Sequence, residues 1–309
     1  MPRWVVLFGV FIAMDSAFSD QKPDFDSLWN YDKPAETETQ FRALVPVAQK
    51  SGDRGYQAEL LTQIARTLGL QQKFAEAHAL LDSVARTLGD AGERARVRYL
   101  LERGRVFNSS KQKEKATPLF QEAWERAVQA GHDFFAVDAA HMLAIATPAE
   151  QHMGWNLKAV ALAEKSADPQ ARRWQGSLYN NIGWDYFDQK NFDSALTMFQ
   201  RALLARVEQK QPTEIRIATW CVAKTLRMQG QADSALVMHR QLEKEWRATK
   251  EKQDGYVFEE IAECLLALNR NDDATPYFAQ AYALLAKDPW LPSDEPERLK
   301  RLKELGNVR

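Results

Sequence analysis

The sequence predicts an all-α chain made of tandem antiparallel helix pairs. Gly (14 of 309 residues) and Pro (12) are below average usage and β-branched runs are scarce, so neither turns nor strands dominate. Apolar residues reach 45%, enough for a continuous core. A pattern of small and large apolar residues recurs about every 40 positions, and self-similarity at such a period marks a repeat architecture. Charge excludes one class of function. Lys plus Arg number 41 against 42 Asp plus Glu, a net charge of -1, whereas a dedicated nucleic-acid binder carries a basic excess.

Residues 1–19 stand apart as a signal peptide. Arg3 supplies a positive start, residues 4–13 (WVVLFGVFIA) are uninterrupted apolar, and Ala17 and Ser19 are small residues flanking a cleavage point before Asp20. Ten apolar residues are too few for a bilayer core of about 30 Å, and no cysteine follows to carry a lipid anchor. Export without stable membrane insertion is the expectation; the alternative is a misassigned start site and a cytoplasmic chain. Cys221 and Cys264 are the only cysteines, which excludes a disulfide framework and a Cys-rich zinc site. Two buried thiols are expected, with a single bridge as the alternative in an exported protein.

Residues 20–50 read as an incomplete first repeat with a short helix over residues 25–31, and residues 51–290 as the array proper. The cleanest unit, residues 177–203, has two helical patterns separated by the polar turn Asp188-Gln189-Lys190-Asn191. In the first pattern Tyr179, Ile182, Gly183 and Tyr186 share one face; in the second Ala195, Phe199 and Ala202 do so. The second-helix triad recurs as Thr37-Phe41-Leu44, Ala77-Leu81-Val84, Ala116-Phe120-Ala123 and Met153-Leu157-Val160. It continues as Ala195-Phe199-Ala202, Ala235-His239-Leu242 and Ala274-Phe278-Ala281, giving spacings of 40, 39, 37, 42, 40 and 39. A small first-helix residue lies twelve positions upstream in five units, as Ala65, Gly104, Gly183, Ala223 and Ala262. In the Met153 unit the rule lands on His141, and Ala140 fits only with one inserted residue. Residues 291–309 supply a capping helix and tail, with Leu299, Leu302 and Leu305 on one side and charges around the rest.

This small–large–small order resembles the tetratricopeptide repeat, and over residues 29–306 the chain is similar to bacterial proteins of that type. The resemblance implies a right-handed α-solenoid whose first helices face the concave side; it implies no established activity. Three features depart from the family pattern. The period exceeds the usual minimum of about 34 residues, the repeat-ending proline is mostly absent, and Arg103 takes an apolar position.

On each first helix, the positions three and two before the small residue and one after it share the face expected to line the groove. These are Thr62, Gln63 and Arg66; Leu101, Glu102 and Arg105; Val137, Asp138 and His141; Asn180, Asn181 and Trp184; Trp220, Cys221 and Lys224; and Glu259, Glu260 and Glu263. Arg98 and Arg227 lie one turn away, and Gln200, Arg201 and Arg206 are expected on the opposite, outer face. Asn is a poor interior helix residue, but its amide both donates and accepts, which suits an extended peptide backbone. Tetratricopeptide grooves use asparagine in this way, and Asn181 occupies the corresponding position. Trp184 and Trp220 offer flat apolar contact, Lys224 and Arg227 a site for a carboxylate, and Arg66, Arg98 and Arg105 a positive first half. Each has a structural alternative: the asparagines bond neighbouring helices, the tryptophans pack between them, and the glutamates pair with Lys224 and Arg227 instead of attracting a basic segment.

No H-E-x-x-H, G-x-S-x-G, phosphate-binding glycine loop or paired C-x-x-C occurs. His132, His141 and His152 are grouped without a further ligand at diagnostic spacing, so no metal or other cofactor is expected. The leading expectation is a non-enzymatic scaffold that binds a peptide segment or helix of a partner protein. The alternative is an exported α/α-toroid enzyme acting on polysaccharide, with groove tryptophans as sugar platforms and two carboxylates as acid and base. Oligomeric state is not encoded in these patterns.

Overall fold

The computed structural model describes residues 22–248, 254–288 and 291–309; the expected signal segment, residues 1–19, lies outside them. All regular structure among the described residues is helical. Residues up to Ala95 form one compact unit and residues from Arg96 a second.

The first unit begins with a single 3-10 turn, Phe25–Leu28, where the sequence predicts a short helix. It continues with α1 (Pro34–Lys50), α2 (Arg54–Leu70) and α3 (Phe74–Ala85). The turn does the work of a first helix through its aromatic rings. Phe25 and Trp29 meet Phe41 edge-on, at 6.1 and 5.2 Å between centroids, and seal the fully buried Phe41 on the open side of α1. Asp53 starts α2 by accepting the N–H of Tyr56 at 2.9 Å. Leu60, Ile64, Ala65, Ala77, Leu81 and Val84 close the core of this unit.

From α4, whose first three residues belong to the first unit, four helix pairs follow: α4 (Glu93–Ser109) with α5 (Lys113–Ala130), α6 (Asp133–Ala146) with α7 (Ala149–Lys165), α9 (Gln175–Asp188) with α10 (Phe192–Glu208), and α11 (Pro212–Met228) with α12 (Ala232–Ala248). A fifth pair, α13 (Gly255–Ala267) and α14 (Asn271–Leu285), precedes the terminal α15 (Leu291–Asp294) and α16 (Pro296–Leu305). The one-turn helix α8 (Pro169–Arg172) is inserted between α7 and α9. Five of the turns inside pairs share one construction. Gln72, Lys111, Lys190, Gly230 and Asn269 hold left-handed backbone, and the next N–H reaches back to a carbonyl five residues earlier at 2.9 Å, as from Asn191 to Tyr186. This closes each first helix by satisfying an orphan carbonyl. The α6–α7 turn has instead extended Thr147 followed by Pro148, which shortens it.

That turn explains an error of register. The sequence suggests Met153-Leu157-Val160 as the α7 triad, but Leu157 is 46% exposed, and the buried face is Asn156, Ala159, Val160 and Ala163. The position taken by Phe120, Phe199 and Phe278 elsewhere is held here by Asn156, so the triad is His152-Asn156-Ala159. Ala140 then falls twelve residues upstream with no insertion, and all six full repeats obey one rule. Nδ2 of this polar residue donates to Asp185 of α9 at 3.2 Å, while its buried Oδ1 has no partner among the described residues.

Phe120, Phe199 and Phe278 are buried to within 1% and dominate the joints between helices, each contributing about 1.5–3 kcal/mol of apolar burial. Cys221 and Cys264 are both buried and free, as two packed thiols rather than a bridge, and burial pushes each up to about 12. The C-terminal cap is as expected. Leu299 and Leu302 of α16 are buried in the core they share with α13 and α14, and Gly306 passes so close to Ala279 that a Cβ there would stand 2.6 Å from its backbone nitrogen.

Candidate functional site

Within the second unit the first helices set the expected groove residues side by side and spend most of them on one another. Arg105 of α4 donates to Glu102 at 2.9 Å and to Asp138 of α6. Burial alone lowers a guanidinium, but these two carboxylates hold Arg105 well above its ordinary range. Glu260 of α13 is almost fully buried and accepts from Lys224 at 2.6 Å and from Arg227 at 2.8 and 3.1 Å. Burial works to raise Glu260, and the two cations of α11 overcome it and bring it to about 2. Glu259 accepts from Arg298 of α16 at 2.6 and 2.8 Å, and Glu263 from Arg301. The three glutamates thus serve as ties between repeats and cap, with Glu260 on the pair expected from sequence and the other two on the C-terminal helix. In the first unit, Arg66 stands 5.5 and 5.2 Å over the rings of Trp29 and Tyr31, themselves stacked at 4.6 Å.

The aromatic and amide residues are only partly consumed. Trp184 packs on Phe187, Phe199 and Trp220 at 5.1, 5.2 and 6.2 Å. Trp220 Nε1 donates to the carbonyl of Tyr256 at 3.2 Å. Asn180 Oδ1 accepts from Cys221 Sγ at 3.6 Å, and Asn181 Nδ2 lies 3.4 Å from Nδ1 of His141, a ring that burial lowers toward the neutral form. Each asparagine amide retains further hydrogen-bonding capacity.

Two cavities open beside these residues. A polar one of about 170 Å³ is lined by Gly176, Ser177, Asn180 and Asn181 of α9, Ala202 and Arg206 of α10, and Glu214, Ile217 and Ala218 of α11. An apolar one of about 280 Å³ is lined by Arg216, Ile217 and Trp220 of α11, Trp246 of α12, and Asp254, Tyr256 and Val257 at the start of α13. They share Ile217, which is 52% exposed. Arg206, expected on the outer face, is half-buried and donates to Ser177 at 2.6 Å and Gln211 at 2.5 Å. Sequence inspection centred on the middle of the first helices and so missed Trp246, Tyr256 and Asp254. The signal was present in the repeat itself, since Arg206 and Trp246 hold the same second-helix position 40 residues apart.

Residues 176–208, the α9–α10 pair, match the tetratricopeptide repeat family. No curated protein matches the chain in sequence. Among solved structures, the apo form of RapI is similar at a TM-score of 0.70 and 11% identity, over 92% of this chain and 80% of that one. A signal transduction ATPase with numerous domains and a tetratricopeptide repeat sensor, PH0952 from Pyrococcus horikoshii, gives a TM-score of 0.67 at 12% identity, over 91% of this chain and 44% of that one. BtubC from P. vanneervenii gives 0.55 at 14% identity, over 75% and 96%. At these identities the likeness is one of fold, a tetratricopeptide-like α-solenoid of consecutive helix pairs. Among the described residues no helix is long and apolar enough to cross a membrane, and no three His, Cys, Asp or Glu converge as a metal site.

Proposed function

We propose that this chain is a non-enzymatic protein-interaction module that holds a segment of a partner protein across α9, α11 and the start of α13. The observation that carries this reading is the pair of cavities meeting at exposed Ile217, on a face where neighbouring charged residues are already tied to one another. Packed helices stand about 8–10 Å apart, a distance an extended chain covers in about three residues, so one segment reaches both cavities. Ser177, Asn180 and Asn181 supply donors and acceptors for its backbone, and the tryptophan-lined cavity supplies apolar burial. A repeat array used as a sensor in the multidomain ATPase is consistent with such a role. A carboxylate pair acting on polysaccharide fits less well, because Glu259, Glu260 and Glu263 are each bound to arginine or lysine. From sequence, we propose further that residues 1–19 direct export.

The test is a display selection of random peptides against the whole chain, followed by photo-crosslinking of the tightest peptide and mapping of the adducts. Adducts on α9, α11 and residues 254–257 support the reading. Adducts confined to other helices, or no peptide recovered above background, overturn it.

A further inference from the structure

Successive repeats place the same positions around the two cavities. Gly176, Ser177 and Asn180 of α9 stand 40 residues before Arg216, Ile217 and Trp220 of α11, and Arg206 of α10 stands 40 before Trp246 of α12. Both cavities have an acid at the start of the following first helix, Glu214 in one and Asp254 in the other. In the polar cavity the chain supplies its own cation. Arg206 lies over Gly176, where a Cβ would stand 2.5 Å from its Nε, hydrogen-bonds to neutral partners, and feels the charge of Glu214. In the apolar cavity Trp246 replaces that arginine, and the acid remains.

Among the described residues Asp254 has no cationic partner. Its carboxylate accepts the N–H of Tyr256 at 2.9 Å, at the N-terminus of α13, and burial raises it. Among the described residues the nearby cations are occupied otherwise, Arg298 among them, which stands 5.2 Å over the Tyr256 ring and donates to Glu259. Arg216 stands 4.2 Å over the Trp246 ring, and Lys224, 4.9 Å from the Trp220 ring, is bound to Glu260.

We propose that this cavity takes one basic side chain of the partner segment, an arginine or lysine, with its methylene stem against Trp220, Trp246 and Tyr256 and its charged head on Asp254. The proposal rests on the interaction surface described above and names the residue type it selects. A neutral apolar side chain would fill the walls but strip water from Asp254 without replacing it, which is the costly way to bury a carboxylate. A basic side chain matches both parts of the site, because its stem is apolar and its head pairs with the acid and with aromatic faces. Arginine, planar and weakly hydrated, is favoured over lysine. At about 280 Å³ the cavity is smaller than those that take drug-sized ligands, about 300–1,000 Å³, and suits a single side chain.

The test uses the full chain and simple probes: N-acetyl-argininamide, N-acetyl-lysinamide, and the neutral N-acetyl-citrullinamide and N-acetyl-norleucinamide. Indole N–H resonances of Trp220 and Trp246, assigned with Trp→Phe variants, are followed by NMR during titration. The expected result is saturable shifts of both indoles with the basic probes and binding at least about tenfold weaker, 1.4 kcal/mol, for the neutral ones. Asp254→Asn retains the helix cap and should remove most of that preference, weakening the basic probes and, by relieving the cost of burying a carboxylate, strengthening norleucine binding. Equal binding of neutral and basic probes, or a preference that survives Asp254→Asn, overturns the basic-side-chain assignment while leaving the interaction surface in place. Absence of any indole shift overturns it as well. Peptide adducts mapped away from α11 would instead remove the surface on which it rests.

Discussion

Gly183 of α9 lies against the ring of Phe199 of α10, so closely that a methyl group on Gly183 would stand 2.5 Å from Phe199 Cε1. Gly104 and Phe120 repeat the arrangement at the same 2.5 Å. Both rings are fully buried and have nowhere to retreat. Gly183→Ala gains about 1 kcal/mol of helix propensity but overpacks the joint by about 1–3 kcal/mol, so a net loss is expected in urea unfolding. Gly154→Ala is the control. Nothing lies within 4 Å of a Cβ at that position in α7, and it should stabilise the chain by about 0.5–1 kcal/mol. A stabilised Gly183→Ala would show that the small residue is not there for close packing.

The register of α7 makes a second prediction. Leu157→Ala should change stability by less than about 0.5 kcal/mol because the side chain is half in water. Leu81→Ala, at a fully buried triad position, should cost about 2–5 kcal/mol. Comparable losses at the two sites would restore the triad that apolar spacing alone suggests.

These particulars show what was legible in the sequence. Small residues such as Gly183 can be found because backbone approach leaves no chemical substitute for them, and the repeat period follows from their recurrence. Asn156 could not be placed, because its fitness for a buried position depends on Asp185 in another helix. The face carrying Asn180, Trp220 and Glu260 was legible from helical periodicity, but which of its residues stay open was not. Glu259 and Glu263 are occupied by Arg298 and Arg301, partners about 38 residues distant whose reach no local pattern reveals. Trp246 and Asp254 were missed because the open cavity is built from three helices, each contributing residues that look ordinary alone.

His239 sets a pH dependence. It is fully buried where neighbouring repeats have Phe199 and Phe278, and neither ring nitrogen has a hydrogen-bond partner among the described residues. Burial pushes it down to about 4; Glu260, 4.0 Å away, pulls upward, and Arg227 and Lys224 push down. Between about pH 6.5 and about 4 the unfolded chain therefore binds a proton that the folded one rejects, and stability falls as pH drops through that window. The slope from this one group is at most about 1.4 kcal/mol per pH unit. Glu260, lowered to about 2, loses its contribution only below its ordinary range, from about pH 4.5 downward. His239→Phe should widen its stability advantage over the parent chain as urea midpoints are taken from pH 7 to pH 5. Parallel pH profiles would contradict the assignment.

Export rests on residues 1–19. Expression in a secreting host followed by mass spectrometry should recover a mature chain beginning close to Asp20. Intact protein retaining Met1 in the cytosol would remove the export reading.

If a partner segment crosses Ile217, its affinity responds to a charge placed there and not to one placed on the outer side of α12. Ile217 is 52% exposed and Val237 of α12 is 70% exposed, so arginine at either position should leave the fold within about 0.5 kcal/mol of the parent. Binding of the tightest selected peptide, measured by calorimetry, should weaken at least about tenfold, or 1.4 kcal/mol, in Ile217→Arg and remain unchanged in Val237→Arg. Equal affinity of the parent and Ile217→Arg, or a loss seen only with Val237→Arg, would contradict the account.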